Sequence, residues 1–175
     1  MKPALSMLML LIAIVHGAAT ADQIEPFIGE YAGETISNDD ELDKRDLGVT
    51  IERKDNGFTV RWTTITTKPD GRAKKKSYAI DFLPTPRGGI YSSAMKTNVF
   101  GGAEPLDPLK GDPYVWARVA GDTLSVFALI ITDEGGYEMQ VYDRTRTADG
   151  LQLEFSRIRD GETLKLIKGS LSRKK

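Results

Sequence analysis

The chain has 175 residues, with 24 lysines and arginines against 25 aspartates and glutamates, which gives a net charge of −1. This balance lacks the basic excess of a nucleic-acid-binding protein, so no nucleic-acid partner is expected. A single domain of this length can bury a sufficient apolar core. The sequence contains no cysteine, so the fold must be stable without disulfides.

Residues 1–21 have the pattern of a secretory signal peptide. Lys2 gives a positive start, residues 4–15 are almost entirely apolar, and residues 19–21 read Ala-Thr-Ala, a small-x-small cleavage pattern. The apolar run is shorter than the roughly 20 residues of a spanning helix. We expect cleavage between Ala21 and Asp22, export to the periplasm or beyond, and one monomeric domain over residues 22–175 that does not span a membrane.

Such cleavage would remove His16, the one histidine of the chain. Ser-His-Asp and Cys-His catalysis, zinc sites of the usual kind and haem held by histidine or cysteine would then all be excluded. We therefore expect no metal and no cofactor, and no residue pair is nominated as catalytic.

From residue 29 onward, short apolar runs alternate with turn dipeptides such as Asn-Gly and Asp-Gly, which supply the positive φ angles of tight hairpins. The predicted strands are 29–36, 47–53, 58–66, 77–83, 91–100, 114–119, 123–132, 137–145, 151–157 and 163–171. The two long predicted loops are 37–46 and 101–113.

This spacing predicts an all-β fold built as an antiparallel up-and-down meander. An open meander would leave two exposed edges, and closure into a barrel of eight to ten strands removes them. A β-sandwich is the alternative, although it would use longer crossovers than most of these turns allow.

A resemblance to lipocalins and other calycin barrels lies at residues 27–33, Phe-Ile-Gly-Glu-Tyr-Ala-Gly. A helical turn, then a glycine, then an aromatic residue two positions on opens the first strand, as Gly29 and Tyr31 do here. The resemblance implies that Tyr31 caps the closed end and that an arginine near the last strand, Arg157 or Arg159, packs on it. Tyrosine replaces the tryptophan of the superfamily. The segments GIYSSAMKTNVFG and GDPYVWARV also resemble uncharacterised secreted bacterial proteins, which implies no activity.

Period-two alternation divides the predicted strands into two faces. We assign three sets to the buried face: Phe58, Val60 and Trp62; Tyr137, Met139 and Val141; Leu151, Leu153 and Phe155. Such an apolar set either fills a barrel of this size or surrounds one small ligand.

Tyr114, Trp116 and Arg118 share one face of another predicted strand. Pointing inward, two aromatic rings and a guanidinium would hold an acidic amphiphile. The apolar residues from Val115 to Val119 alternate equally well on the opposite face, so the facing of this strand stays open. The candidate ligand-binding residues are Phe58, Trp62, Tyr114, Trp116, Arg118, Tyr137, Met139 and Phe155.

The run Arg72-Ala-Lys-Lys-Lys76 beside a Pro-Asp-Gly turn predicts a solvated basic hairpin tip.

The leading functional hypothesis is non-catalytic binding of a small lipophilic or amphipathic ligand inside the barrel. Two alternatives remain: an envelope interaction module, either an inhibitor or an assembly factor, with a filled barrel; and a barrel enzyme without histidine or cysteine, such as an isomerase or cyclase.

Overall fold

A computed structural model describes residues 23–37, 40–67, 71–93, 96–97, 103–104 and 106–175. The elements are a 3-10 turn at Glu25–Phe27, β1 (Gly29–Ser37), β2 (Asp40–Lys54), β3 (Gly57–Thr67), β4 (Ala73–Pro84), β5 (Ile90–Ser93), β6 (Lys96–Thr97), β7 (Ala103–Glu104), a second 3-10 turn at Pro108–Lys110, β8 (Tyr114–Ala120), β9 (Thr123–Ile131), β10 (Tyr137–Arg146), β11 (Gly150–Arg159) and β12 (Glu162–Arg173). The predicted signal peptide, residues 1–21, lies outside the described residues.

Ten strands form one closed antiparallel barrel in the order β1-β12-β11-β10-β9-β8-β5-β4-β3-β2. The sheet closes because β1 pairs on one side with β2 and on the other with β12, so that Tyr31 lies opposite both Val49 and Arg173. β6 and β7 pair with each other within the β5–β8 connection. The predicted meander barrel is confirmed, and the β-sandwich alternative is wrong.

The predicted strands correspond to the barrel strands, except that the predicted strand 91–100 is wrong in extent. The barrel strand there is β5 (Ile90–Ser93), and Lys96–Thr97 pairs with β7 in a separate sheet. One predicted loop is also wrong. Residues 37–46 were expected to form a long loop, whereas β1 extends to Ser37 and β2 begins at Asp40. This polar stretch lacks apolar alternation, and its backbone is held in the ladder by β1 and β3, with Arg45 opposite both Thr35 and Thr66. Within the described residues, no helix has the length and apolar character needed to cross a membrane.

The face assignment of β10 is also wrong. Tyr137 is 41% exposed, whereas Glu138 is only 4% exposed, so Tyr137, Met139 and Val141 face outward. Alternation separates two faces but does not say which one is inside. The ladder decides this, because it places Tyr142 opposite Val126 on β9 and Phe155 on β11.

Tyr31 closes one end of the barrel, as the lipocalin resemblance implied. Its side chain is buried, and its hydroxyl donates a hydrogen bond of 2.8 Å to the carbonyl oxygen of Phe27. The arginine that packs on it is Arg173 of β12, with its guanidinium carbon 5.7 Å from the ring centre. The expectation of Arg157 or Arg159 is wrong, because both lie at the opposite end of β11, where they pair with Glu138.

The apolar core occupies this closed end. The buried side chains there include Ile24, Phe27, Ile51, Phe58, Val60, Phe82, Tyr91, Leu124, Leu151 and Leu171. Phe58 stacks on Phe82 at a ring distance of 5.2 Å and meets Tyr91 edge-on at 4.9 Å. Close packing at this end leaves the remaining interior space at the other end of the barrel.

Two glycines on neighbouring strands test the tightness of the closure between β1 and β12. A Cβ atom on Gly33 would overlap the backbone carbonyl oxygen of Ser170, whereas one on Gly48 would meet nothing within 4 Å. We expect Gly33→Ala to lower the free energy of unfolding by about 2 kcal/mol or more through overpacking. The control Gly48→Ala should leave stability unchanged or slightly higher. If urea denaturation showed the same loss of stability for Gly33→Ala and Gly48→Ala, the close approach of β1 and β12 would be contradicted.

Candidate ligand-binding cavity

The end of the barrel opposite Tyr31 holds an open cavity of about 560 Å³. It lies at the end formed by the β3–β4, β9–β10 and β11–β12 turns, because its lining residues come from the parts of those strands nearest these turns. Inward-facing positions of β2, β3, β4, β10, β11 and β12 supply the walls. The cavity therefore has a packed floor, a surrounding wall and a mouth.

The floor of the cavity is formed by Val49, Trp62, Arg144 and Leu153, which are two ladder pairs on opposite sides of the interior. Trp62 is buried, and its ring stacks on Tyr78 at 5.1 Å and lies 5.5 Å from Tyr142. These aromatic contacts separate the cavity from the apolar core beneath.

The walls above the floor are largely apolar and aromatic. Leu47, Tyr142, Phe155 and Ile167 contribute most of this surface, and the rings of Tyr142 and Phe155 lie 4.7 Å apart. The Tyr142 hydroxyl donates to Oε1 of Gln140 at 2.9 Å, which fixes both side chains. Burial raises the pKa of the Tyr142 hydroxyl, so it stays neutral at physiological pH.

The mouth is strongly charged. Its charged side chains are Lys74, Lys76, Glu138, Arg157 and Lys165. Glu138 accepts hydrogen bonds from Arg157 at 2.6 Å, Arg159 at 3.0 Å and Gln140 at 2.8 Å. The hydrogen bond from Arg157 is the main cause that lowers the pKa of Glu138 to about 2, with Gln140 and Arg159 contributing further. Among the described lining residues, the one acid is thus already paired.

Among the described residues, Arg144 is the most deeply buried charge, with 1% of its surface exposed. Its guanidinium carbon lies 5.7 Å from the ring centre of Trp62 and 5.8 Å from that of Tyr142. Nη1 has a long contact of 3.4 Å to the carbonyl oxygen of Tyr142, while Nε has no hydrogen-bond partner among the described residues. Desolvation lowers the pKa of Arg144 to about 10, so it remains charged at neutral pH.

The eight predicted ligand-binding residues separate into three places. Trp62 and Phe155 line the cavity, and Phe58 lies below it in the closed-end core. The other five, Tyr114, Trp116, Arg118, Tyr137 and Met139, lie on the outer face of β8 and β10. The inward positions of β8 are held by Val115, Ala117 and Val119, which are buried.

The outer residues form a surface of their own. Trp116 stacks on Phe127 of β9 at 4.9 Å and lies 5.8 Å from Tyr114. The register places Met139 opposite Leu129, next to this aromatic group. The predicted set is therefore divided by the barrel wall rather than assembled into one site.

Sequence reasoning missed the polar members of the cavity. Glu138, Gln140, Tyr142 and Arg144 occupy every second position of β10 and line the cavity, whereas the opposite face of this strand was predicted to face the interior. Lys74 and Lys76 belong to the predicted basic hairpin tip and are exposed as expected, but they also line the mouth. Their period-two spacing was the available signal that both point to one side of β4.

The buried ion pair of Glu138 gives a prediction about acid stability. Folding lowers the pKa of Glu138 from 4.5 to about 2. The ionised carboxylate therefore makes its full contribution to the free energy of unfolding above pH 4.5, and this contribution is lost as the pH falls toward 2. We expect the stability difference between wild type and Glu138→Gln to narrow by about 2 kcal/mol between pH 6 and pH 3.

The control for this measurement is Glu154→Gln, which removes a half-exposed ion pair with Lys168 on the outer surface. Exposed pairs contribute little, so its effect on the free energy of unfolding should stay small throughout. If the stability difference between wild type and Glu138→Gln stayed constant across this pH range, the lowered pKa of Glu138 would be contradicted.

Comparisons with known proteins add little to this geometry. No protein-family model matches the chain, and no curated protein matches it. Among solved structures, the chain is similar to the S-type phycobiliprotein lyase CPES from Guillardia theta, with 8% identity and a TM-score of 0.37, over 92% of this chain and 96% of the lyase. At this level of similarity nothing follows about ligand or activity, and the closed antiparallel barrel is established by the strand order itself.

Proposed function

We propose that this protein is an exported, non-catalytic barrel that binds one small amphipathic molecule in its cavity. The observation that carries the proposal is the open cavity of about 560 Å³, which lies within the range of small-molecule sites. Export rests on the signal-peptide pattern of residues 1–21.

The lining of the cavity supports an amphipathic ligand rather than a purely apolar or a purely polar one. Trp62, Phe155 and Ile167 offer apolar surface in the middle of the cavity, whereas charged groups lie at both its floor and its mouth. Binding sites for small molecules typically combine apolar walls with a few placed polar groups in this way.

The electrostatics of the cavity favour binding over proton transfer. A general base needs a pKa near the working pH, whereas the two arginines beside Glu138 hold its carboxylate ionised and its pKa at about 2. Tyr142, one of the two tyrosines that line the cavity, has a raised pKa and already donates a hydrogen bond to Gln140. Both groups suit orientation of a bound molecule.

A protein-interaction role is the second candidate function. The outer aromatic group of exposed Tyr114 with half-buried Trp116 and Phe127 favours it, because apolar groups on a sheet surface are a common docking feature. The hypothesis of an interaction module included a filled barrel, however, and the open cavity does not agree with that part of it.

The two tryptophans of the chain report on the two candidate surfaces separately, because Trp62 lines the cavity and Trp116 lies outside the barrel. In the Trp116→Phe variant, titration with 1-dodecanol should produce a saturable change in the emission of Trp62. In the Trp62→Phe variant, the same titration should leave the emission of Trp116 unchanged. Native mass spectrometry should show one bound molecule per chain.

A response from Trp116 alone would place binding on the outer surface and support the second candidate. No response from either variant, together with no adduct in the mass spectrum, would contradict binding in the cavity. Native mass spectrometry of protein purified gently from its own source, followed by solvent extraction, would then identify the class of any natural ligand.

A further inference from the structure

Within the part of the chain that the structure describes, Arg144 is a buried cation without an anionic partner, and this arrangement is energetically unfavourable. Burying a charge is costly unless it is paired and hydrogen-bonded. Among the described residues no carboxylate pairs with Arg144, and its Nε lacks any partner. The neighbouring rings of Trp62 and Tyr142 offset part of this cost through cation–π contacts.

Among the described residues, the lining of the cavity provides no acid that Arg144 could recruit. Glu138 lies near the mouth, and its oxygens accept from Arg157, Arg159 and Gln140. It is separated from Arg144 by six residues along β10, a rise of roughly 20 Å. Asp143 points to the opposite face of β10, where its carboxylate accepts a hydrogen bond of 2.5 Å from the Ser125 hydroxyl.

Building on the proposed function, we infer that the ligand is an organic acid that enters the cavity acid group first and places its carboxylate against Arg144. A carboxylate there would supply the acceptor that Nε lacks, and a guanidinium binds this group through two parallel hydrogen bonds. The apolar body of the acid would then lie between Trp62, Tyr142 and Phe155.

The charge of the mouth agrees with an acid as the entering group. Lys74 and Lys76 are exposed on β4, and within the described part of the chain neither forms an ion pair. Clefts lined by charge of one sign raise the local concentration and the association rate of oppositely charged molecules. A cationic ligand would be repelled by these two lysines, and a neutral one would give Arg144 no anionic partner.

The test compares two molecules with the same twelve-carbon chain and different head groups, dodecanoate and 1-dodecanol, at pH 7.5 and below micelle-forming concentrations. Binding is followed by Trp62 emission in the Trp116→Phe background. We expect dodecanoate to bind at least about tenfold more tightly than 1-dodecanol, since a hydrogen bond to a charged group contributes that much.

Arg144→Met should abolish this preference while 1-dodecanol still binds. The matched control is Arg118→Met, which removes the same charge from the outer surface of β8, where the side chain is exposed. Arg118→Met should retain the preference for the acid. If it loses the preference as fully as Arg144→Met does, general charge rather than the floor of the cavity selects the acid, and the inference is wrong.

The stability of the ligand-free protein shows whether Arg144 serves ligand binding or the packing of the fold. Replacing a buried charge with an apolar side chain of similar volume is often neutral or stabilising. We therefore expect the urea midpoint of Arg144→Met to equal or exceed that of wild type. A lower midpoint together with an unchanged preference for dodecanoate would show that Arg144 serves packing and would overturn the inference.

The same titrations distinguish failure of the inference from failure of the proposed function. If wild type binds dodecanoate and 1-dodecanol equally well, the cavity binds amphiphiles, but Arg144 does not select acids. If neither molecule changes the emission of Trp62, the proposed binding function itself is wrong.

Discussion

The hydrogen-bond register of the closed barrel is the constraint on which the rest of the structure depends. In an antiparallel ladder, directly opposed residues point to the same side of the sheet. Closure of β1 on β12 links all ten strands into one ladder, so the facing of one strand fixes the facing of its neighbours. The buried positions of β8 and β9 thereby determine that Tyr142 and Arg144 of β10 face the interior.

The two ends of the barrel divide stability and binding between them. The closed end contains the tightly packed aliphatic and aromatic side chains and the Tyr31–Arg173 contact, which supply the burial that stabilises the fold. The open end contains the charged side chains of the mouth and, below them, the buried guanidinium of Arg144. A concentrated core at one end thus tolerates an unfavourable arrangement of charge at the other.

Much of the fold could be predicted from the sequence because its signals are local. Turn dipeptides and period-two alternation mark strands and hairpins within a few residues, and these gave the ten barrel strands. The polar start of β2 was missed because its strand conformation comes from pairing with β1 and β3 rather than from its own side chains.

The candidate site was harder to predict because the pairing between strands, and not the sequence of one strand, decides which side chains face the interior. Trp62 and Phe155 were predicted to face the interior and do so, since residues 58–63 and 151–156 carry apolar side chains on one face only. On β10 both faces carry large side chains, and Tyr137 and Met139 are more apolar than Glu138 and Arg144. Hydrophobicity therefore indicated the wrong face there, and the buried polar face is the one that lines the cavity.

Glu138 and Arg144 show two ways in which one interior accommodates charge. Glu138 is ionised because arginines surround it, and its lowered pKa reflects those partners. Arg144 is ionised in spite of burial, and its lowered pKa of about 10 reflects the loss of water. A lysine or histidine in this position could release its proton and become neutral, as buried amines and imidazoles do. Arginine retains its charge, so the floor of the cavity presents a fixed cation before any ligand arrives.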